Sequence, residues 1–375
     1  MTFQHVLPAS YYNLRGKFAT TLTLNNKGPE PLDIQPTLFS LNGQRLDVPP
    51  VTVDGTSFRV INLRQWAVPG AGFDEGSLQI VHYGMDMQLG AQVKMIDAEH
   101  SLIFAEQLMQ MMAMSSRLEG VWWLRSHKSN VRLVLSNTSD SPFAASVSID
   151  GISPRQTSPL TINLGPHETR VLNPESLAAN RNGTLRQSGG ISISYSGAPG
   201  ALLAHGLIEE QSSGFSSSID FSDPSMAHSS KLTGGGLRLK PAGGKQLTTI
   251  VIARNIGTTE AIVDGSLPYT TEDGTASVLT LPQVRLGPGE VGTMDVFRAI
   301  RRARVDVDQL ASAGLEFSYS TSPGTVLITA QSLSEDGNQV FRLPLIDAEA
   351  QPSSTGGYPW FINGSSATVV CITNV

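Results

Sequence analysis

The sequence predicts an all-β chain of three tandem antiparallel β-sandwiches, followed by the first strand of an incomplete fourth. Three observations carry this. A short strand ending in Asn recurs as Thr20–Gly28, Arg132–Ser139, Ile250–Gly257 and Val369–Val375, with Asn26, Asn137, Asn255 and Asn374 spaced by 111, 118 and 119 residues. Apolar residues alternate with period two inside each copy, the mark of a half-buried strand. The composition, with 36 Gly, 22 Pro and only 15% charged residues in 375, suits many short strands joined by turns.

The elements of the unit follow in a fixed order. Fourteen residues before the landmark Asn stands a large aromatic: Tyr12, Trp123 and Trp360, with Leu237 and Leu239 in the third unit. Such a side chain packs a junction or offers a stacking face to a sugar. In the first strand Leu22 and Leu24, Leu133 and Leu135, Val251 and Ala253, and Val370 and Ile372 face the core. Ile250 and Ile252 make the opposite face of the third copy apolar too, so that strand is central or covered by a neighbour.

Turn chemistry comes next. Asn42-Gly43, Asp150-Gly151 and Asp273-Gly274 mark hairpins, because these pairs accept positive φ. Leu164-Gly-Pro-His-Glu168 and Leu286-Gly-Pro-Gly-Glu290 reverse the chain between strands, and Val53-Asp-Gly-Thr56 takes their place in the first unit. Short helices are expected around Pro174–Ala179 and Asp308–Ala313. Gly-led strands ending in Tyr follow at 76–83, 190–195 and 314–319, then small-residue strands from Leu89, Leu202 and Val326. Polar stretches close the units, so the boundaries are 1–120, 121–234, 235–357 and 358–375.

Arg254-Asn-Ile-Gly257 with Leu286-Gly-Pro-Gly-Glu290 resembles the immunoglobulin-like repeats of bacterial cell-surface and adhesion-related proteins. The resemblance implies an extracellular, non-enzymatic module whose partner is a protein or glycan at a cell surface. It carries no site residues across. The first unit departs from it at Val53-Asp-Gly-Thr56.

Charge and composition exclude several classes. A net charge of −6 and a pI near 5.7 argue against a nucleic-acid partner. The basic run Arg298, Arg301, Arg302 and Arg304 reads as a solvated loop. Cys371 is the one cysteine, so no disulfide or thiolate zinc site forms within the chain. No apolar run is long enough for a membrane helix, and the N-terminus shows no signal peptide. The chain is therefore cytosolic or a piece of something longer.

No catalytic set assembles. The seven histidines are scattered, and no nucleophile elbow, zinc-binding His pair or phosphate loop is present. The expectation is no enzyme, no cofactor and no metal. The acidic pairs Glu209-Glu210 and Glu335-Asp336 read as solvated. Seven of the ten methionines fall between Met85 and Met114. Thioethers suit Cu(I), and His82, Met85 and Met87 could begin such a site, but a packing patch, as a short helix or flap, is the preferred reading.

Two functions remain. The leading one is a structural or adhesive array acting as a spacer or protein-binding stalk. The alternative is a carbohydrate-binding accessory module that stacks sugars on Trp122, Trp123 and Trp360. The final strand, apolar on both faces, is expected to continue into a longer protein, to fold back on the third unit, or to pair with another molecule.

Overall fold

The structure, a computed structural model, describes residues 4–67, 70–85, 87–108, 113–153, 159–174, 184–239, 247–337 and 340–350. Among these the chain is all-β, with several antiparallel sheets and one short α-helix. The first strands are β1 (His5–Asn13), β2 (Phe18–Asn26), β3 (Leu32–Ser40), β4 (Arg45–Asp47), β5 (Val51–Val53), β6 (Ser57–Asn62), β7 (Glu75–His82), β8 (Leu89–Asp97) and β9 (Leu102–Leu108). Then come β10 (Arg117–Trp123), β11 (Asn130–Asn137), β12 (Phe143–Ser153), β13 (Leu160–Leu164), β14 (Thr169–Leu172), β15 (Thr184–Tyr195), β16 (Leu202–Glu210) and β17 (Phe215–Ser222). The last are β18 (Lys231–Gly235), β19 (Leu247–Asn255), β20 (Ala261–Thr271), β21 (Ala276–Thr280), β22 (Val284–Leu286), β23 (Val291–Asp295), β24 (Leu310–Tyr319), β25 (Val326–Ser334), β26 (Val340–Leu343) and β27 (Ile346–Asp347), with helix α1 (Val296–Arg302) between β23 and β24.

One pairing order recurs. The first nine strands form β1-β7-β3-β4, with β5 also on β3, and β6-β2-β8-β9. The last ten form β27-β18-β24-β20-β21, with β22 also on β20, and β23-β19-β25-β26. Between them, β10-β15-β12-β13 and β14-β11-β16-β17 repeat the order, but Glu119 and Gly120 pair with Ser222 and Phe221 and fuse the two into one eight-stranded sheet. Register recurs as well. Leu22 pairs with Val93, Leu133 with Gly206 and Val251 with Ala330. Each of these leucines or valines stands four residues before its landmark Asn.

Alternation explains which face of each sheet is buried. Leu22, Leu24, Leu133, Leu135, Val251 and Ala253 are all buried. They belong to three hydrophobic clusters. The clusters interlock at their margins. Val134 and Leu207 join the first cluster, while Leu333, Ile250 and Val340 pack on the middle one. The apolar outer face of β19 is therefore covered by the neighbouring strands.

Four local expectations are corrected. Asp150-Gly151 is no hairpin. It lies within β12, where the pairing to β15 shifts register after Asp150. The helical stretch expected around Asp308–Ala313 is cut to the 3-10 turn Val307–Gln309, because β24 begins at Leu310, and the α-helix lies elsewhere. It forms earlier, because Asp295 caps it by accepting from Arg298 N and Val296, Ala299 and Ile300 bury one stripe. Arg298, Arg301 and Arg302 are thus solvated on a helix rather than in a loop. Gly120 and Gly234, placed at unit boundaries, sit inside β10 and β18. A Cβ on Gly120 would come 2.8 Å from Phe221, so the glycine there serves close packing and not a linker. Of the helix expected around Pro174–Ala179 all but Pro174, and the whole strand ending at Asn374, lie outside the described residues.

Candidate functional site

Three constructions stand out among the described residues, an asparagine clamp and an aspartate latch that recur and a buried ion cluster that does not. In the clamp, Asn26 Nδ2 donates to Glu30 O (2.7 Å) and Val53 O (3.1 Å), and its Oδ1 accepts from Gly28 N. Asn137 donates to Ser141 O and Gly165 O and accepts from Ser139 N. Asn255 donates to Thr259 O and Leu286 O and accepts from Gly257 N. All three are at most 1% exposed. The amide thus ties its own turn to the turn before the next strand. That second turn has its own lock. Glu168 and Glu290 accept from Gly165 N and Gly287 N, and the residue before each Glu, His167 or Gly289, has positive φ.

A second lock recurs between later strands. Asp223 accepts from Met114 N, Ser115 N and Ser115 Oγ. Asp347 does the same for His228 N, Ser229 N and Ser229 Oγ. Burial opposes ionisation of both aspartates. The serine hydroxyls and backbone N–H groups outweigh it and hold both well below the usual carboxylate range.

The ion cluster lies where β19 meets β10 and β15. Arg254 is 2% exposed and Glu119 is fully buried. Arg254 donates from one terminal nitrogen to Glu119 Oε2 (2.7 Å), Gly120 O (3.1 Å) and Ile191 O (3.2 Å). From the other it donates to Asp150 and to Ser192 Oγ (2.9 Å). Glu119 is also held by Arg117 and by Ser192 Oγ at 2.6 Å. A Cβ on Gly190 would come 2.0 Å from Arg254 Nε, so only glycine leaves the guanidinium its space. Five donations and two carboxylates make this a built site for one cation, already filled by the chain itself. In the sequence Arg254 stands inside the turn motif Arg254-Asn-Ile-Gly257, which conceals its role. The available signal was a charge on a face whose other members, Ile250 and Ile252, are apolar.

The residues singled out for ligand stacking are placed as follows. Trp122 is 2% exposed and belongs to the middle cluster. Trp123 is half-buried. Both line a cleft with Ile208, Ile252, Gln331 and Arg342 whose free space is about 10 Å³, enough for one water. Trp360 and Cys371 lie outside the described residues.

The described histidines form one stacked pair and otherwise take separate partners. His5 and His82 stack at 4.9 Å, His100 meets Asp97 at 2.7 Å, and His167 stacks on Phe39 at 4.2 Å. Among the described residues no group of three or more His, Cys, Asp or Glu converges as a metal site. Met85, Met87 and Met114 are exposed while Met95 is buried; 109–112 lie outside the described residues. Glu209 and Glu210 are buried rather than solvated, because Arg132 and Ser126 reach them. No helix among the described residues is long and apolar enough to cross a membrane. Compared with known proteins, the chain matches no family model and no curated sequence.

Proposed function

We propose that the chain is a tandem array of three immunoglobulin-like β-sandwiches, with the start of a fourth, acting as a non-enzymatic structural or adhesive spacer of a bacterial cell-surface or secreted protein. One observation carries the reading. The elaborate polar chemistry of the molecule is spent on holding strands and neighbouring units together. The asparagine clamp and the aspartate latch are closed on their own backbones, and the two terminal nitrogens of Arg254 are engaged by Glu119 and Asp150. A buried cation between two strand sets sets their relative orientation, which is what a stiff spacer needs. Its partner is a protein or glycan presented at a surface.

Single-molecule pulling tests the array. Three unfolding steps are expected, each releasing about 40 nm for roughly 110 residues at about 3.5 Å per residue. A single step spanning the whole chain would sink the reading.

A further inference from the structure

The two junctions inside the chain reuse one face. Thr169 and Val171 on β14 turn toward the β3–β4 hairpin: Thr169 N donates to Leu41 O (2.9 Å), Asn42 bridges to Glu168, and Val171 packs on the first cluster. Ile250, Ile252 and Arg254 on β19 turn toward the middle set, Ile250 onto its core, Ile252 beside Trp122 and Trp123 of β10, and Arg254 onto β10 and β15. The strands in the same places in the first set are β6 and β2. Val60 pairs with Thr23 as Val171 pairs with Val134, and Phe58 pairs with Asn25 as Thr169 pairs with Ser136. Thr169 is 2% exposed, yet Phe58 and Val60 are each 47% exposed. Along β2 and β8 every second residue remains only half-buried, whereas the last five residues of β19 and of β25 are buried on both sides.

The other end of the chain carries the matching half. The β3–β4 hairpin closes with Ser40 N on Gln44 O and Gly43 N on Ser40 O. The β20–β21 hairpin closes in the same way, with Thr271 N on Thr275 O and Gly274 N on Thr271 O. The first hairpin is docked so closely that a Cβ on Gly43 would meet Pro166 O at 2.2 Å, while a Cβ on Gly274 would meet none of the described residues within 4 Å. Val278, on β21, is 67% exposed. The charges also match: Glu272 and Asp273 are exposed on the hairpin, and Lys27 and Arg59 are exposed beside Phe58 and Val60.

We propose that a second copy of the chain covers this face, the β20–β21 hairpin of one molecule docking on the β6 edge and outer β6-β2-β8-β9 face of the next. The inference rests on the array reading, since it extends the junction that array already contains. Such a contact is head-to-tail and does not close, so it builds open chains of molecules. Apolar side chains at both ends supply the burial, and Arg59 opposite Glu272 and Asp273 sets the register.

Sedimentation velocity of the full chain over a wide concentration range tests this. The weight-average mass should rise without a plateau, and less so in high salt. Val60→Asp and Val278→Arg should each weaken association about tenfold or more. Mixed together, they should form a one-to-one dimer, because each keeps the half the other has lost. Circular dichroism should match the parent chain. Should either variant unfold, Arg59→Glu and Glu272→Lys replace them, each weakening association alone and restoring it together. A parent chain that stays monomeric, variants that associate unchanged, or a mixture that fails to pair would each overturn the proposal. So would association lost on deleting residues 351–375, which would make that segment the occupant. A monomer that still unfolds in three steps would overturn this proposal and leave the array reading standing.

Discussion

At the residue scale, one amide repeatedly does what a strand cannot do for itself. Asn26, Asn137 and Asn255 each end a central strand, where the ladder stops and backbone carbonyls face inward. Asn255→Ala would leave Thr259 O and Leu286 O without their amide donor in a buried place. The expected loss is about 3 kcal/mol, read as a lower urea midpoint. Asn255→Asp should be no better, since a carboxylate would face two carbonyls. The aspartate latches make a pH prediction. Asp223 and Asp347 are depressed in the folded chain, so they stabilise it fully above the ordinary carboxylate pKa of about 4. That stabilisation is lost as pH falls below about 4 toward their folded values. Melting temperature should therefore drop between about pH 4 and pH 2, and Asp223→Asn should flatten that limb while lowering stability at pH 7. A limb unchanged by the substitution would assign the acid sensitivity elsewhere.

At the scale of elements, turn chemistry was readable where it is local. Leu-Gly-Pro-X-Glu works because the Glu side chain returns to the Gly N–H within the same five residues. Asn42-Gly43 and Asp273-Gly274 make hairpins because both glycines take positive φ. Asp150-Gly151 carries the same signal, yet the strand runs through it. There Asp150 serves Arg254, a partner 104 residues away that no local pattern encodes. The helix was misplaced for a related reason. Its apolar stripe is Val296, Ala299 and Ile300, among arginines that mask the period. Asp295→Ala should remove its N-cap and cost about 1 kcal/mol, seen in the melting of the last strand set. Asp295→Ser should restore most of it.

At the scale of the whole molecule, Arg254 ties together the middle and last strand sets, whose cores also meet at Leu333, Ile250 and Val340. Arg254→Ala would leave Glu119 buried with Arg117 as its one remaining cationic partner among the described residues and should cost about 3–5 kcal/mol. Calorimetry should show the transitions of the middle and last sets separating. Arg254→Met with Glu119→Gln should recover part of the loss, because neither charge then remains buried alone. If Arg254→Ala leaves a single transition at the parent temperature, the cluster does not couple the two sets.

By itself the sequence determined the strands, their alternation and the repeated order in which they come. Period-two burial, Gly and Asn turns and the recurring Asn are local chemistry, and they repeat visibly along the chain. Only the tertiary structure decided what covers each outer face. Ile250 and Ile252 say in the sequence only that this face is central or covered, and the structure supplies the cover, β10 and β15 bringing Glu119, Gly190 and Asp150 against Arg254. Trp122 reads as a ring able to stack a ligand until the middle core closes over it. The physical reason is the same in both cases. A strand's pattern says that a face needs a cover, but the cover comes from residues far away in sequence, placed by sheet packing rather than by any neighbouring residue.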